Sequence, residues 1–235
     1  MPDKPTANSK KPDKGPEIEL FLTFDDGPFP VTLQILDVLK KHGARATFFI
    51  VLQRKGDRQA QYKSLQRMVN EGHAIANHGV DHDPMTKKGY KATTPAEVQK
   101  DFDDNSRILK DVFTANKQTA PSMDLARLPG DGRFNSDYVT MITSEVRAAH
   151  ASWDIEFAPN GKMGHVTHAN WQGITGLSAT RKDLPKAREI ALLHDGHFSG
   201  KIAVFEALVA FLKTRYLLKS LRDIPKGLTS IKYPS

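Results

Sequence analysis

Cysteine is absent from the 235-residue chain. That excludes thiolate zinc sites, cysteine nucleophiles and structural disulfides, and it suits an envelope or secreted setting without excluding the cytoplasm. Long apolar runs are missing too. No stretch approaches the ~18 residues a membrane span requires, and no apolar signal-peptide core follows Met1. Basic residues outnumber acidic ones, with a net charge of +7 and a pI near 9.5. Yet there is no clustered basic helix, zinc-finger spacing or aromatic ribonucleoprotein motif. A diffusely basic surface is therefore expected, suited to an anionic envelope rather than to nucleic acid. Internal repeats are lacking. No G-x-G-x-x-G follows the first apolar run, which argues against a dinucleotide-binding fold.

What is present is an alternation. Residues 1–16 hold four Pro and four Lys with almost nothing apolar, and read as a polar tether of the kind that follows a removed signal peptide or lipid anchor. Residues 17–235 are expected to form one domain, since 39% hydrophobic content suffices for a sizeable core. Apolar runs at 17–24, 45–52, 74–78, 123–127, 148–155 and 188–195 read as strands. Helical spacing appears at 31–43, 62–73, 94–113, 136–146 and 201–221, the third opening with a Thr94-Pro95-Ala96-Glu97 capping box. The Gly-bearing stretch 158–187 reads as loop. Such alternation implies an α/β fold with parallel strands joined by crossovers. A β/α barrel and a doubly wound open sheet both fit.

Ionisable residues collect at the ends of these strands. Asp25 and Asp26 follow the first, Asn77 and His78 end the third, and Arg127, Asp154, His194 and Asp195 end later ones. In a parallel barrel those ends share the face where catalytic groups gather. Two adjacent aspartates before Gly27-Pro28 have an ordinary reading as turn residues, but a turn alone does not recruit His and Arg from other strands. His78 and His82 with one of the two carboxylates make two imidazoles and one oxygen. That set leaves positions open on a catalytic cation and suits Zn²⁺, with Co²⁺, Ni²⁺ and Fe²⁺ less decisively favoured. The second carboxylate can then accept a proton from water acidified by the metal, a nearby Arg orienting it, while His194 donates one to a leaving group. The pattern describes metal-assisted hydrolysis.

T-F-D-D-G-P (23–28), A-T-F-F (46–49), N-H-x-x-x-H (77–82), R-L-P-G (127–130) and L-L-H-D (192–195) stand in the order of the polysaccharide deacetylase family (the NodB-homology domain, carbohydrate esterase family four), which residues 17–215 resemble. The resemblance implies a distorted (β/α)₇ barrel with its active site at the C-terminal strand ends, removing N- or O-acetyl groups from glycans with a divalent metal. An N-acetylglucosamine-containing glycan is the leading expectation, and peptidoglycan, a chitin-like polymer and an exopolysaccharide all fit. The same resemblance makes Asp25 the general base, Asp26, His78 and His82 the metal ligands, His194 the general acid, and Arg127 the residue orienting Asp25. Leu192 would line the acetyl pocket, and the backbone N–H of Gly130 would help stabilise the oxyanion.

Three departures accompany the match. Gly79 replaces the Ser or Thr usual after the first metal histidine, and Gly130 stands where an aromatic is usual. The family's D-x-x-D-W segment is not reproduced: in WDIEFAPN (153–160), Asp154 or Glu156 would supply the carboxylate tuning His194, and Trp153 the apolar wall. Trp171 would stack on a sugar or anchor a loop, and His197 would sit at the rim. An O-acetyl or xylan esterase, a non-sugar C–N hydrolase, or a glycan-binding module without turnover are the competing readings. A monomer in the cell envelope, periplasm or external medium is expected.

Overall fold

The computed structural model describes residues 16–52, 58–80, 82, 94–130, 148–162 and 168–223. In chain order these form β1 (Ile18–Asp25), α1 (Thr32–Lys41), β2 (Thr47–Ile50), α2 (Arg58–Asn70), β3 (Ala74–Asn77), α3 (Pro95–Ala115), β4 (Leu125–Ala126) and β5 (Ala149–His150). They continue with β6 (Ile155–Pro159), β7 (His168–Ala169), β8 (Leu177–Ala179), β9 (Glu189–His194), α4 (Ile202–Lys213) and β10 (Tyr216–Lys219). The expected helix at 136–146 and residues 1–15 of the tether lie outside the described residues.

The fold is mixed α/β around a mostly parallel sheet. Its hydrogen-bonded order begins β5-β4-β3-β2-β1-β9-β6, every pair parallel. This is the strand set of a (β/α)₇ barrel; among the described residues no ladder joins β5 to β6. Helices α1 and α4 pack their apolar faces, Ile35, Leu36 and Leu39 with Phe205, Leu208 and Leu212, against β1 residues Leu20, Leu22 and Phe24 in one continuous core. Alternation along β1 sends Phe21 the other way, into a smaller cluster with Phe49, Ala76, Ala151 and Ile190. Thr23 and Asp25 share that second face, so β1 places a carboxylate inside the barrel at its C-terminal end.

Three expectations are corrected. The run 148–155 is two short strands, because the carbonyls of Ala151 and Ser152 accept from the Arg127 guanidinium instead of continuing a ladder. The helical reading of 201–221 holds only to Lys213; Tyr216–Lys219 instead forms β10, parallel to β1 in the register Ile18↔Tyr216. Tertiary pairing there overrides an apolar spacing that a helix would also satisfy. The segment read as loop contains β7 and β8, which add antiparallel strands beyond β6.

Candidate active site and metal centre

Asp25 is buried on the interior face of β1, and Arg127, fully buried beyond β4, reaches it: Nη1 donates to Asp25 Oδ1 at 2.6 Å and to Thr23 Oγ1 at 3.0 Å. Nε and Nη2 donate to Ala151 O and Ser152 O at 2.9 and 2.8 Å. The guanidinium lies 4.1 Å from the Phe49 ring centre and 5.4 Å from that of Trp153. A planar fork with this many fixed acceptors has no freedom to swing, so Asp25 is held at one position.

Asp26 points elsewhere because its backbone is left-handed (φ 74°), a conformation that Asp tolerates better than most residues. Its buried Oδ1 has no hydrogen-bond partner, yet His82 Nε2 lies 2.9 Å away and His78 Nε2 3.4 Å. Burial would raise the Asp26 pKa, but the two imidazoles outweigh it and hold the carboxyl well below the usual range. Conversely, burial lowers the His82 pKa while Asp26 raises it, and the rise prevails. His78 Nδ1 sits 2.7 Å from Arg127 O, a carbonyl that can only accept. Nδ1 therefore carries a proton, and Nε2 is the ring nitrogen turned toward the carboxylates. One ligand atom from each of Asp26, His78 and His82 falls within 4.8 Å of the others. An orphaned buried oxygen, an imidazole whose Nδ1 is anchored so that Nε2 faces it, and a two-nitrogen, one-oxygen donor set fit a divalent cation.

His194, at the end of β9, brings Nε2 to 3.9 Å from Asp26 Oδ2, and Nδ1 to 3.7 Å from Glu156 Oε1. Burial depresses its pKa, partly offset by Asp25 and Asp26. Glu156, buried on β6 and registered with Leu192, is thus the carboxylate beside His194. Asp154 is not. Its Oδ2 accepts from Ile190 N at 2.8 Å and its own N–H donates to Ile190 O, so it fastens the start of β6 four residues below His194 on β9. Leu192 is buried in β9, Trp153 is half-buried against Arg127, and Gly130 is exposed with a left-handed φ of 57°. Trp171 is core: it is buried between Phe157 and Phe211 at 4.7 and 5.6 Å, away from any sugar-stacking role. His197 stacks on His194 at 4.7 Å, and burial with that neighbour pushes its pKa down to about 4.

The sequence profile of the polysaccharide deacetylase family matches residues 13–144. The chain belongs to the polysaccharide deacetylase family. It is 29% identical over 215 residues to a peptidoglycan-N-acetylmuramic acid deacetylase, PdaA, of Bacillus subtilis, covering 88% of this chain and 72% of that one. A chitin deacetylase of Arthroderma benhamiae is 27% identical over 197 residues (83% and 48%), and a chitooligosaccharide deacetylase of Rhizobium leguminosarum bv. phaseoli is 40% identical over 93 (39% and 37%). The chain therefore spans less than half the length of these last two relatives. Among solved structures, the peptidoglycan deacetylase PdaC of Bacillus subtilis superposes with a TM-score of 0.61 at 25% identity (87% and 88%). A Streptococcus mutans family-four carbohydrate esterase gives 0.65 at 21% (86% and 85%) and shares the fold.

Within this polysaccharide deacetylase fold, the structure accounts for one departure. Gly79 has φ 78°, and a Cβ there would meet Asp101 Oδ2 at 2.0 Å. Asp101, from α3, accepts from Val80 N at 2.9 Å and occupies the space a larger residue would need. Asn105, one turn on, accepts from Leu52 N and donates to Ile50 O and Asn77 Oδ1, while Asn77 Nδ2 donates to Phe102 O. Sequence reasoning passed over both α3 residues. The available signal was a polar residue on the apolar face of α3, between Phe102 and Leu109.

Proposed function

We propose that the protein hydrolyses acetyl groups from a glycan containing N-acetylglucosamine, chitin-like or peptidoglycan, with a bound divalent cation, Zn²⁺ being the first choice. The carrying observation is the meeting of Asp26, His78 and His82 beside the Asp25–Arg127 pair and His194, at one end of the parallel strands of a chain in this family. Asp26, His78 and His82 would hold the cation. When bound, it supplies Lewis acidity, polarising the acyl oxygen and acidifying water. Asp25, fixed by Arg127, takes the proton of the attacking water. His194 gives a proton to the nitrogen as the C–N bond breaks, leaving acetate and a free amine, and Glu156 steadies its imidazolium. The Gly130 N–H contributes to binding the oxyanion, and Leu192 and Trp153 wall the acetyl methyl. The basic surface suits an anionic envelope, where we place the protein, as a monomer.

Acetate release from N-acetylchitooligosaccharides and from peptidoglycan, after chelation and after restoring Zn²⁺ or Co²⁺, tests the reading. Metal-restored release from either supports it. Bound metal with no release from either, but hydrolysis of acetylated xylan, would replace it with an ester reading.

A further inference from the structure

Phe29 follows the Asp25-Asp26-Gly27-Pro28 turn and lines a cleft of about 330 Å³ together with Asp26, His194 and His197. That size falls within the ~300–1,000 Å³ typical of small-molecule sites. The side chain is 40% exposed, one of three large apolar side chains so exposed among the described residues. Its position is nevertheless fixed. Phe29 N donates to Thr32 Oγ1 at 2.8 Å, Thr32 N returns a bond to Phe29 O at 2.9 Å, and the Thr32 hydroxyl donates to the fully buried Asp195. Asp195 directly follows His194, so one carboxyl spaces the ring from that histidine. Gly196 provides the seat: a Cβ there would lie 3.0 and 3.1 Å from Phe29 ring atoms.

The part of a fixed aromatic face that stays in water beside reacting groups gains nothing from folding, because that area is not removed from solvent. Among the described residues, no other large aromatic side chain beside the site is as exposed as this ring. Trp171 is buried in the core, and Trp153 is half-buried against Arg127, deeper in the site. We propose that Phe29 is a stacking platform for a pyranose ring of the glycan, seating the sugar beside Asp26 and His194. The C–H-bearing face of a pyranose is weakly positive and apolar, which suits the negative face of the ring. This inference rests on the proposed function and names the surface that recognises its substrate.

The experiment compares wild type with Phe29→Ala, Phe29→Trp and Gly196→Ala on triacetylchitotriose and on 4-nitrophenyl acetate, which carries no sugar. Phe29→Ala is expected to raise KM for the trisaccharide about tenfold, as loss of one stacked aromatic implies, with kcat little changed. The ester should be cleaved as before, and Phe29→Trp should restore KM. Gly196→Ala should raise KM by displacing the ring and add nothing in the Phe29→Ala background. An unchanged trisaccharide KM in Phe29→Ala overturns the proposal, as does an equal loss on the ester, which marks a structural role. Fluorescence of Phe29→Trp titrated with the trisaccharide, in chelated protein, separates this idea from the reaction. If wild type deacetylates no glycan, a sugar-dependent change still supports the stacking site while the proposed function falls. No change overturns the stacking site, whatever the acetate assay shows.

Discussion

Asp25 and Asp26 are chemically identical neighbours that the backbone sends into different surroundings. Strand alternation turns Asp25 inward to Arg127, while a left-handed φ aims Asp26 at two histidines. Asp25→Asn should therefore keep metal affinity, measured by chelator competition, while turnover falls ~10²–10⁴-fold, the span of a lost general base. Asp26→Ala should lose both together; tight metal binding by that variant would remove it from the ligand set. Glu156→Gln removes a negative charge 3.7 Å from His194 Nδ1. Without it the imidazolium is less favoured and the His194 pKa falls further. If His194 is the proton donor, the high-pH limb of kcat/KM, where that proton is lost, should then move to lower pH; a static limb would assign it to another group. The twin aspartates were legible because residues so polar rarely end an apolar run. The choice between Asp154 and Glu156 was not, since it turns on where β6 begins, and a two-residue error in a strand's start moves a carboxylate from one end of the strand toward the other.

At the level of elements, α3 secures the segment that carries His78. Asn105 satisfies Leu52 N, Ile50 O and the Asn77 amide at once, in full burial. Asn105→Leu should cost about 2 kcal/mol or more in urea unfolding, since buried partners lose their bonds, and it should weaken metal binding as β2 and β3 shift. Stability unchanged by the substitution would show that water takes over those bonds. A second coupling ties the end of β9 to the start of α1 through Asp195, whose burial pushes its pKa up to about 7. An unfolded Asp titrates near ~4, so the native state keeps a proton that the unfolded chain releases between those values. The resulting stabilisation is complete below pH ~4 and is lost as pH rises through 7. Wild type should therefore lose more stability than Asp195→Asn across that window; parallel pH curves would contradict it. The α1 and α3 helices were legible from spacing and the capping box. The strand at Tyr216–Lys219 was not, because its pairing partner lies at the other end of the sequence.

For the whole molecule, Arg127 does what a ladder does elsewhere. Where β5 and β6 have no pairing among the described residues, its guanidinium joins β1 to the carbonyls of 151 and 152. Arg127→Ala strands a buried carboxylate and should cost about 3–5 kcal/mol, so its melting temperature should drop sharply even with metal present. An unaltered melt would mean that the seam closes by other contacts. The motif R-L-P-G marks this arginine for chemistry; its structural service appears only once the sheet is drawn. β1 shows a different kind of dependence. One edge is covered by β9, and the other is divided between β2 and β10. The ribosome thus makes this strand well over a hundred residues before β9 and β10, the two neighbours that complete its pairing. The centre of the sheet, with the twin aspartates at its tip, cannot be finished until synthesis has passed Lys219. Contacts that distant make folding slow and leave an unpaired apolar strand in the nascent chain, a natural client for chaperones.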